Sequence, residues 1–362
     1  MIWFLLAVFA LSAIGIAIFL NSPSFGKLPS GARLERIKQS PNYRDGKFQN
    51  QEPTTLLTNG KSRVQSLWEF FFLKVNDLVP SQDVSAVKTD LKALSLNEDL
   101  IVWMGHSSLY IQLGGKRILV DPVLVSASPV SFINKPFRGT SIYRPDDMPP
   151  VDILLITHDH WDHLDYATVL ALKNNIGQIV CPLGVGEHFA YWGFSPEIIH
   201  ELDWYESANL TEEILLTSVP ARHFSGRGLT SNQTLWTGYM LQHSAGNILL
   251  SGDTGYGKHI KAIKEKFGTI DFAILENGQY NEDWRYIHMV PDDLIQAINE
   301  LGPRRLMTVH HSKYALARHA WNEPMEKIAS AAENLGFPLV TPKIGDVVRL
   351  RDTVQTFQTW WN

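Results

Sequence analysis

The chain has 362 residues, 44% of them hydrophobic, with 32 Lys+Arg against 37 Asp+Glu for a net charge of −5. That suffices for one large domain or two small ones, and the lack of a basic excess gives no support to nucleic acid as the main partner. A single cysteine, Cys181, excludes an intramolecular disulfide framework and a thiolate cluster, so any metal falls to the 13 histidines and to carboxylates.

Residues 2–20, IWFLLAVFALSAIGIAIFL, carry no charge. As a helix they would span roughly 28 Å, close to the hydrocarbon core of a bilayer. No basic stretch precedes them and no small-x-small cleavage site follows. Residues 1–21 therefore read as a single-pass membrane anchor rather than a removed signal peptide. Lys27, Arg33, Arg36 and Lys38 lie just after the span, which by the positive-inside rule favours the cytosolic face for the body and leaves the side of the membrane open. Residues 21–60, rich in Ser, Pro, Gly, Asn and Gln, read as an extended loop. VQSLWEFFFLKV (64–75) has helical length; it suits a core helix or an element lying in the lipid interface. Residues 22–97 are thus expected to be a linker with a helical extension, 98–352 the main domain, and 353–362 a tail.

From residue 98 the pattern turns strand-rich. LIVWMGHSSLYIQLGGKRILVDP holds two or three short strands, with Gly114-Gly115 as a hairpin turn. DILLIT, QIVCPL, EEILLTSVPA, LWTGYMLQ, NILLSGD, DFAILENG and RLMTVHH add more. YATVLALKNN, GYGKHIKAIKEKFG, PDDLIQAINELG and EPMEKIASAAENLG read as helices, the third with acidic residues at its start and the last stopped by Gly336. Strands with interspersed helices predict an α/β sandwich.

The stretch THDHWDHLD (157–165) places three histidines and three aspartates in nine positions directly after an apolar strand. In a tight loop, His158 and His160 can face one point and Asp162 and His163 another. Imidazole and carboxylate together suit zinc and its neighbours among the transition metals. Further donors recur at other strand ends: His223 in VPARHFSGRG, Asp253 in ILLSGDTGYG, and His310 and His311 in RLMTVHH.

The order H-x-H-x-D-H, His, Asp, His resembles the metallo-β-lactamase fold superfamily, over about residues 98–350. That resemblance implies a four-layer αββα sandwich with a two-metal hydrolase site at the sheet edges. One ion would take His158, His160 and His223, the other Asp162, His163 and His310, with Asp253 bridging. His310 is chosen over His311 because TVHHSKYAL resembles the family's AIHWGTFAL, which leaves His311 in place of a tryptophan. GHSSLYIQLGGKRILVDPVL, PARHFSGRGL, LWTGY and GDTGY are similar to the N-acylphosphatidylethanolamine-hydrolysing phospholipase D family. LENGQYNEDWRYIHMVPDD looks more like other hydrolases and lactonases of the same fold. The implied function is a membrane-anchored phosphodiesterase with two divalent ions, zinc by ligand type, that activate a water for attack at phosphorus. A lactonase or other ester hydrolase is the first alternative, and a non-catalytic tethered binding protein the second. His288 is the candidate proton donor and joins Asp162 and Asp253 in the catalytic set. His106 would orient ligands. Arg222 and Arg227, flanking His223, are candidates for holding an anionic head group.

Overall fold

Two seven-stranded sheets face each other in the computed structural model, which describes residues 1–362 apart from Asn59, Ser131 and the side chains of Arg63, Leu67, Phe70 and Phe71. The chain begins with the apolar helix α1 (Ile2–Leu20), then α2 (Gly31–Lys38), a hairpin of β1 (Tyr43–Arg44) and β2 (Lys47–Phe48), and α3 (Arg63–Phe72). Next come β3 (Leu100–Trp103), β4 (Leu109–Leu113), β5 (Lys116–Val120), β6 (Val151–Leu155), α4 (Tyr166–Ala171), β7 (Ile176–Pro182), α5 (Gly186–Tyr191) and β8 (Ile199–Leu202). The second half contains β9 (Ser207–Asn209), β10 (Leu215–Val219), β11 (Gly238–His243), β12 (Gly246–Leu250), α6 (Lys258–Phe267), β13 (Phe272–Glu276) and α7 (Pro291–Leu301). It ends with β14 (Leu306–Val309), α8 (Glu323–Leu335), β15 (Leu339–Val340) and β16 (Val347–Arg349).

The first sheet has the order β16-β3-β4-β5-β6-β7-β8, antiparallel up to β5 and parallel beyond. The second runs β15-β14-β13-β12-β11-β10-β9, parallel as far as β12 and antiparallel beyond. Gly114 and Gly115 both have positive φ, 53° and 72°, as a two-residue hairpin turn of the primed type requires. Strand β3 is buried along its whole length because both its faces are covered. Ile101 and Trp103 meet Leu241 and Ile248 between the sheets, while Leu100 and Val102 turn to the layer of Val169 from α4 and Phe189 from α5. Ile260, Leu294 and Ile328, from α6, α7 and α8, cover the far side of the second sheet. The expected αββα layering is present. Each fully buried side chain of this kind contributes about 1.5–3 kcal/mol.

Three expectations are corrected. Residues 21–60 are not a free extended loop: α2 and the β1–β2 hairpin bury Ile37 and Phe48 against Trp204 and Trp236. Residues 353–362 are not a loose tail, since Trp360 and Trp361 are buried in the main core and Trp360 packs on Trp103. On α3, Val64, Trp68 and Phe72 are exposed at i, i+4 and i+8, against a core-helix reading; the side chains of Phe70 and Phe71 lie outside the described residues.

Lys313 is fully buried, with Nζ donating to the carbonyl of Val123 at 3.0 Å and of Met104 at 3.4 Å. Burial pushes its pKa down to about 8, with Asp165 only partly opposing. The unfolded chain keeps this proton up to about pH 10.4. Below pH 8 both states hold it and the burial cost is fully present. Between about 8 and 10.4 only the unfolded state holds it, so stability rises with pH, by on the order of 3 kcal/mol. Lys313→Met should flatten that rise; denaturation at pH 8 and pH 10 for both proteins checks it.

Candidate metal centre

The sequence-derived donors come from one edge of both sheets. His158, His160, Asp162 and His163 lie in the loop after β6, His223 after β10, Asp253 after β12 and His310 after β14. They converge in two groups. His160 Nδ1 is 2.9 Å from His158 Nε2 and 3.2 Å from His223 Nε2. Asp162 Oδ2 lies 3.4 Å from His310 Nε2 and 3.7 Å from His163 Nε2. Asp253 Oδ2 sits between the groups, 3.1 Å from both His163 Nε2 and His310 Nε2, and 3.8 and 3.9 Å from His223 Nε2 and His158 Nε2.

Hydrogen bonds on the far side of the rings decide which nitrogens face the centre with lone pairs. Thr157 Oγ1 donates to Asp121 at 2.6 Å, so it accepts from His158 Nδ1–H at 3.0 Å. A carbonyl can only accept, so His223 Nδ1–H donates to Ile287 O at 2.9 Å. His163 Nδ1–H donates to Asp121 Oδ2 at 2.8 Å. With each ring neutral, Nε2 of His158, His223 and His163 is then left with its lone pair toward the centre. His163 Nε2 is buried with no hydrogen-bond partner. Lone pairs directed at one another need a proton or a cation between them, and rings fixed by outer hydrogen bonds are the pattern of metal-binding histidines. The residues present therefore fit metal ions.

Electrostatics point the same way. Burial and the neighbouring imidazoles hold His158 and His223 well below the ordinary histidine range, which keeps both rings neutral. Burial raises the carboxyls of Asp162 and Asp253, but His163 and the other rings outweigh it and hold both well below the usual range. Burial lowers the proton affinity of His163, yet Asp253, Asp162 and Asp121 lift it well above the ordinary value. Positive charge is favoured at this point.

His106 donates from Nε2 to Asp162 Oδ2 at 2.9 Å and orients that carboxylate. His310 is in the left-handed region at φ 69°, and its N–H donates to His106 O at 3.0 Å. His311 turns away, bonding Thr308 and Ser312 and packing on Trp103. His288 lies beside His223 and stacks on His310 at 5.0 Å, with Nδ1 bonded to Glu276 Oε2 at 2.8 Å.

The two arginines do not serve as expected. Arg222 is engaged by Thr54, by the carbonyls of Pro53 and Tyr256, and by the Tyr286 ring. Arg227 is 5% exposed and donates to the carbonyls of Ser24, Asp159 and Leu164. These bonds hold both guanidinium groups within the chain, and neither arginine is among the residues lining the cavity at the centre. Sequence reasoning also missed Asp121, which directly follows β5 in LVDP, and Glu276, the last residue of β13. Both carboxylates close an apolar strand, the same signal that revealed Asp253.

A cavity of about 310 Å³ opens onto the centre. His160, Asp162, Asp253, His288 and His310 form its floor, and Leu56, Phe224, Trp284, Ile287 and Leu316 its apolar walls. Among the described residues no lysine or arginine lines it.

Residues 116–311 match the family described as the beta-lactamase superfamily domain. An uncharacterized protein of Mycobacterium tuberculosis is 34% identical over 333 residues, 90% of this chain and 88% of that one. N-acyl-phosphatidylethanolamine-hydrolyzing phospholipase D 1 of Caenorhabditis elegans is 29% identical over 272 residues, 69% of this chain and 75% of that one. Among solved structures, a metallo hydrolase from Ignicoccus hospitalis superposes with a TM-score of 0.54 at 19% identity, covering 69% of this chain and 97% of its own. The chain belongs to the beta-lactamase superfamily and is a metal-dependent hydrolase of the metallo-β-lactamase fold.

Proposed function

We propose that the chain is a membrane-anchored binuclear zinc phosphodiesterase of phospholipase D type, acting on N-acylphosphatidylethanolamine-like lipids. The observation that carries this reading is the pair of converging donor groups that share Asp253. His158, His160 and His223 would hold one ion; Asp162, His163 and His310 would hold the other; Asp253 would contact both. Two such ions, when bound, supply an acidified water and polarise a phosphoryl oxygen.

The chain's own residues do the rest. Asp121, Thr157, Ile287 and His106 fix the donor orientations from behind. His288, with Nδ1 engaged by Glu276, keeps Nε2 to deliver a proton to the departing alcohol. The apolar walls around Leu56, Phe224 and Trp284 suit acyl or glycerol carbons and exclude water. The helix α1, 19 residues long with none buried, would keep the enzyme at its lipid substrate.

That no lysine or arginine among the described residues lines the cavity favours a second reading, hydrolysis of an uncharged ester such as a lactone. One panel separates the two. Full-length protein is offered N-acylphosphatidylethanolamine in vesicles, a short-chain phosphodiester and a set of lactones, with products followed by phosphorus NMR and mass spectrometry. Phosphatidic acid with N-acylethanolamine is the expected outcome. Removing residues 1–21 should slow the vesicle reaction and spare the soluble one. Turnover of lactones alone would overturn the phosphodiesterase reading.

A further inference from the structure

The residues just after α1 reach the metal-ligand loop by three contacts. Phe25 meets the ring of Trp161 edge to face at 5.0 Å, and Trp161 stands between His160 and Asp162 in the chain. On Trp161 also lies the guanidinium of Arg227, 3.9 Å from the ring centre. Arg227 donates to Ser24 O from Nη2 at 2.8 Å and from Nε at 3.1 Å, and its Nη1 donates into the loop, to Asp159 O at 2.8 Å and Leu164 O at 2.7 Å. By a separate route, Lys27 N–H donates to His188 Nδ1 at 3.0 Å. That fixes the His188 proton on Nε2, which donates to Asp159 Oδ2 at 3.2 Å.

We propose that Arg227 is a positioning residue that couples the Ser24–Lys27 segment to the 158–163 loop, so that the segment following the apolar helix is part of the metal centre's support. The geometry assigns Arg227 this task because one planar fork bonds both ends of the loop and the segment outside it. Lysine, a point donor on a flexible stem, cannot make those bonds together. Phe25 and Arg227 hold Trp161 between them, and the loop's ligand spacing follows the position of Trp161. The inference rests on the metal-centre reading and is independent of which bond is hydrolysed.

The test measures zinc affinity by competition with a chromophoric chelator, on full-length protein in lipid nanodiscs, well below the melting temperature. The variants are Arg227→Lys, Phe25→Ala and, as control, Arg33→Lys. Arg33 docks α2 through Glu187 and Glu201 and does not touch the loop. Supports of this kind set metal affinity by about tenfold or more, which is the loss expected for Arg227→Lys, with a smaller loss in the same direction for Phe25→Ala. The control should bind zinc like the wild type even where its melting temperature falls. Wild-type affinity in folded Arg227→Lys and Phe25→Ala proteins would overturn the coupling, as would an equal loss in the control. Should Arg227→Lys not fold, the half-buried Phe25 decides alone. A wild-type protein that takes up no zinc would instead overturn the metal-centre reading itself, and this inference with it.

Discussion

Asp253→Asn should lower turnover by about a thousandfold or more while the chain stays folded, because on the two-ion proposal the carboxylate shared by both cations is lost and their mutual repulsion rises. Asp253 Oδ2 is within 3.9 Å of four imidazole nitrogens drawn from both donor groups. Asparagine keeps the volume and one carbonyl acceptor but removes the negative charge. Metal content should fall from two ions per chain, as read by elemental analysis, with an unchanged far-ultraviolet spectrum. A folded variant that keeps both ions and turns over within about tenfold of wild type would defeat the two-ion proposal.

The second large effect separates neighbours. His310 carries its imidazole to Asp253 and Asp162 from a left-handed backbone, a conformation asparagine tolerates better than alanine. His310→Asn should therefore remove a ligand with little backbone strain, and cost about two to three orders of magnitude in activity together with one ion. His311→Ala should leave the metal content intact. Its ring packs 4.9 Å from Trp103 in the core, so the expected loss is about 2–4 kcal/mol of stability. Full metal content in the His310 variant and a lost ion in the His311 variant would show that the ligand register is off by one.

The donors were legible in the sequence because they close apolar strands in short runs. Four of them lie within six residues, and His223, Asp253 and His310 each follow a recognisable strand. The amphipathic helices α6, α7 and α8 were legible for a similar local reason. Their buried residues, such as Ile260 and Ile263 or Leu294 and Ile298, recur at helical spacing. What was not legible depends on partners far along the chain. Arg227, close in sequence to His223, looks like a head-group clamp, and nothing local reveals that Ser24, Asp159 and Leu164 take up its donors. The helix α2 is short and polar, so its docking through Arg33 leaves no periodic signal. The polar composition of residues 21–60 records exposure of the outer face of that segment, and its few buried anchors, Ile37 and Phe48, are too sparse to form a pattern.

That segment also imposes an order on biogenesis. Residues 24–52 leave the ribosome early, yet their partners are Glu187, Glu201, His223, Arg227 and Lys258. Two hundred residues of synthesis take about 10–40 s, and domains assemble as their chain emerges. For that interval Ile37 and Phe48 lack Trp204 and Trp236 and have only near neighbours such as Leu34 and Tyr43 to cover them, while the apolar helix before them has already been made. The loop that would hold the first ligands thus gains its outer brace from Arg227 only after more than three fifths of the chain has been translated, and the Ser24 carbonyl waits for that partner until then.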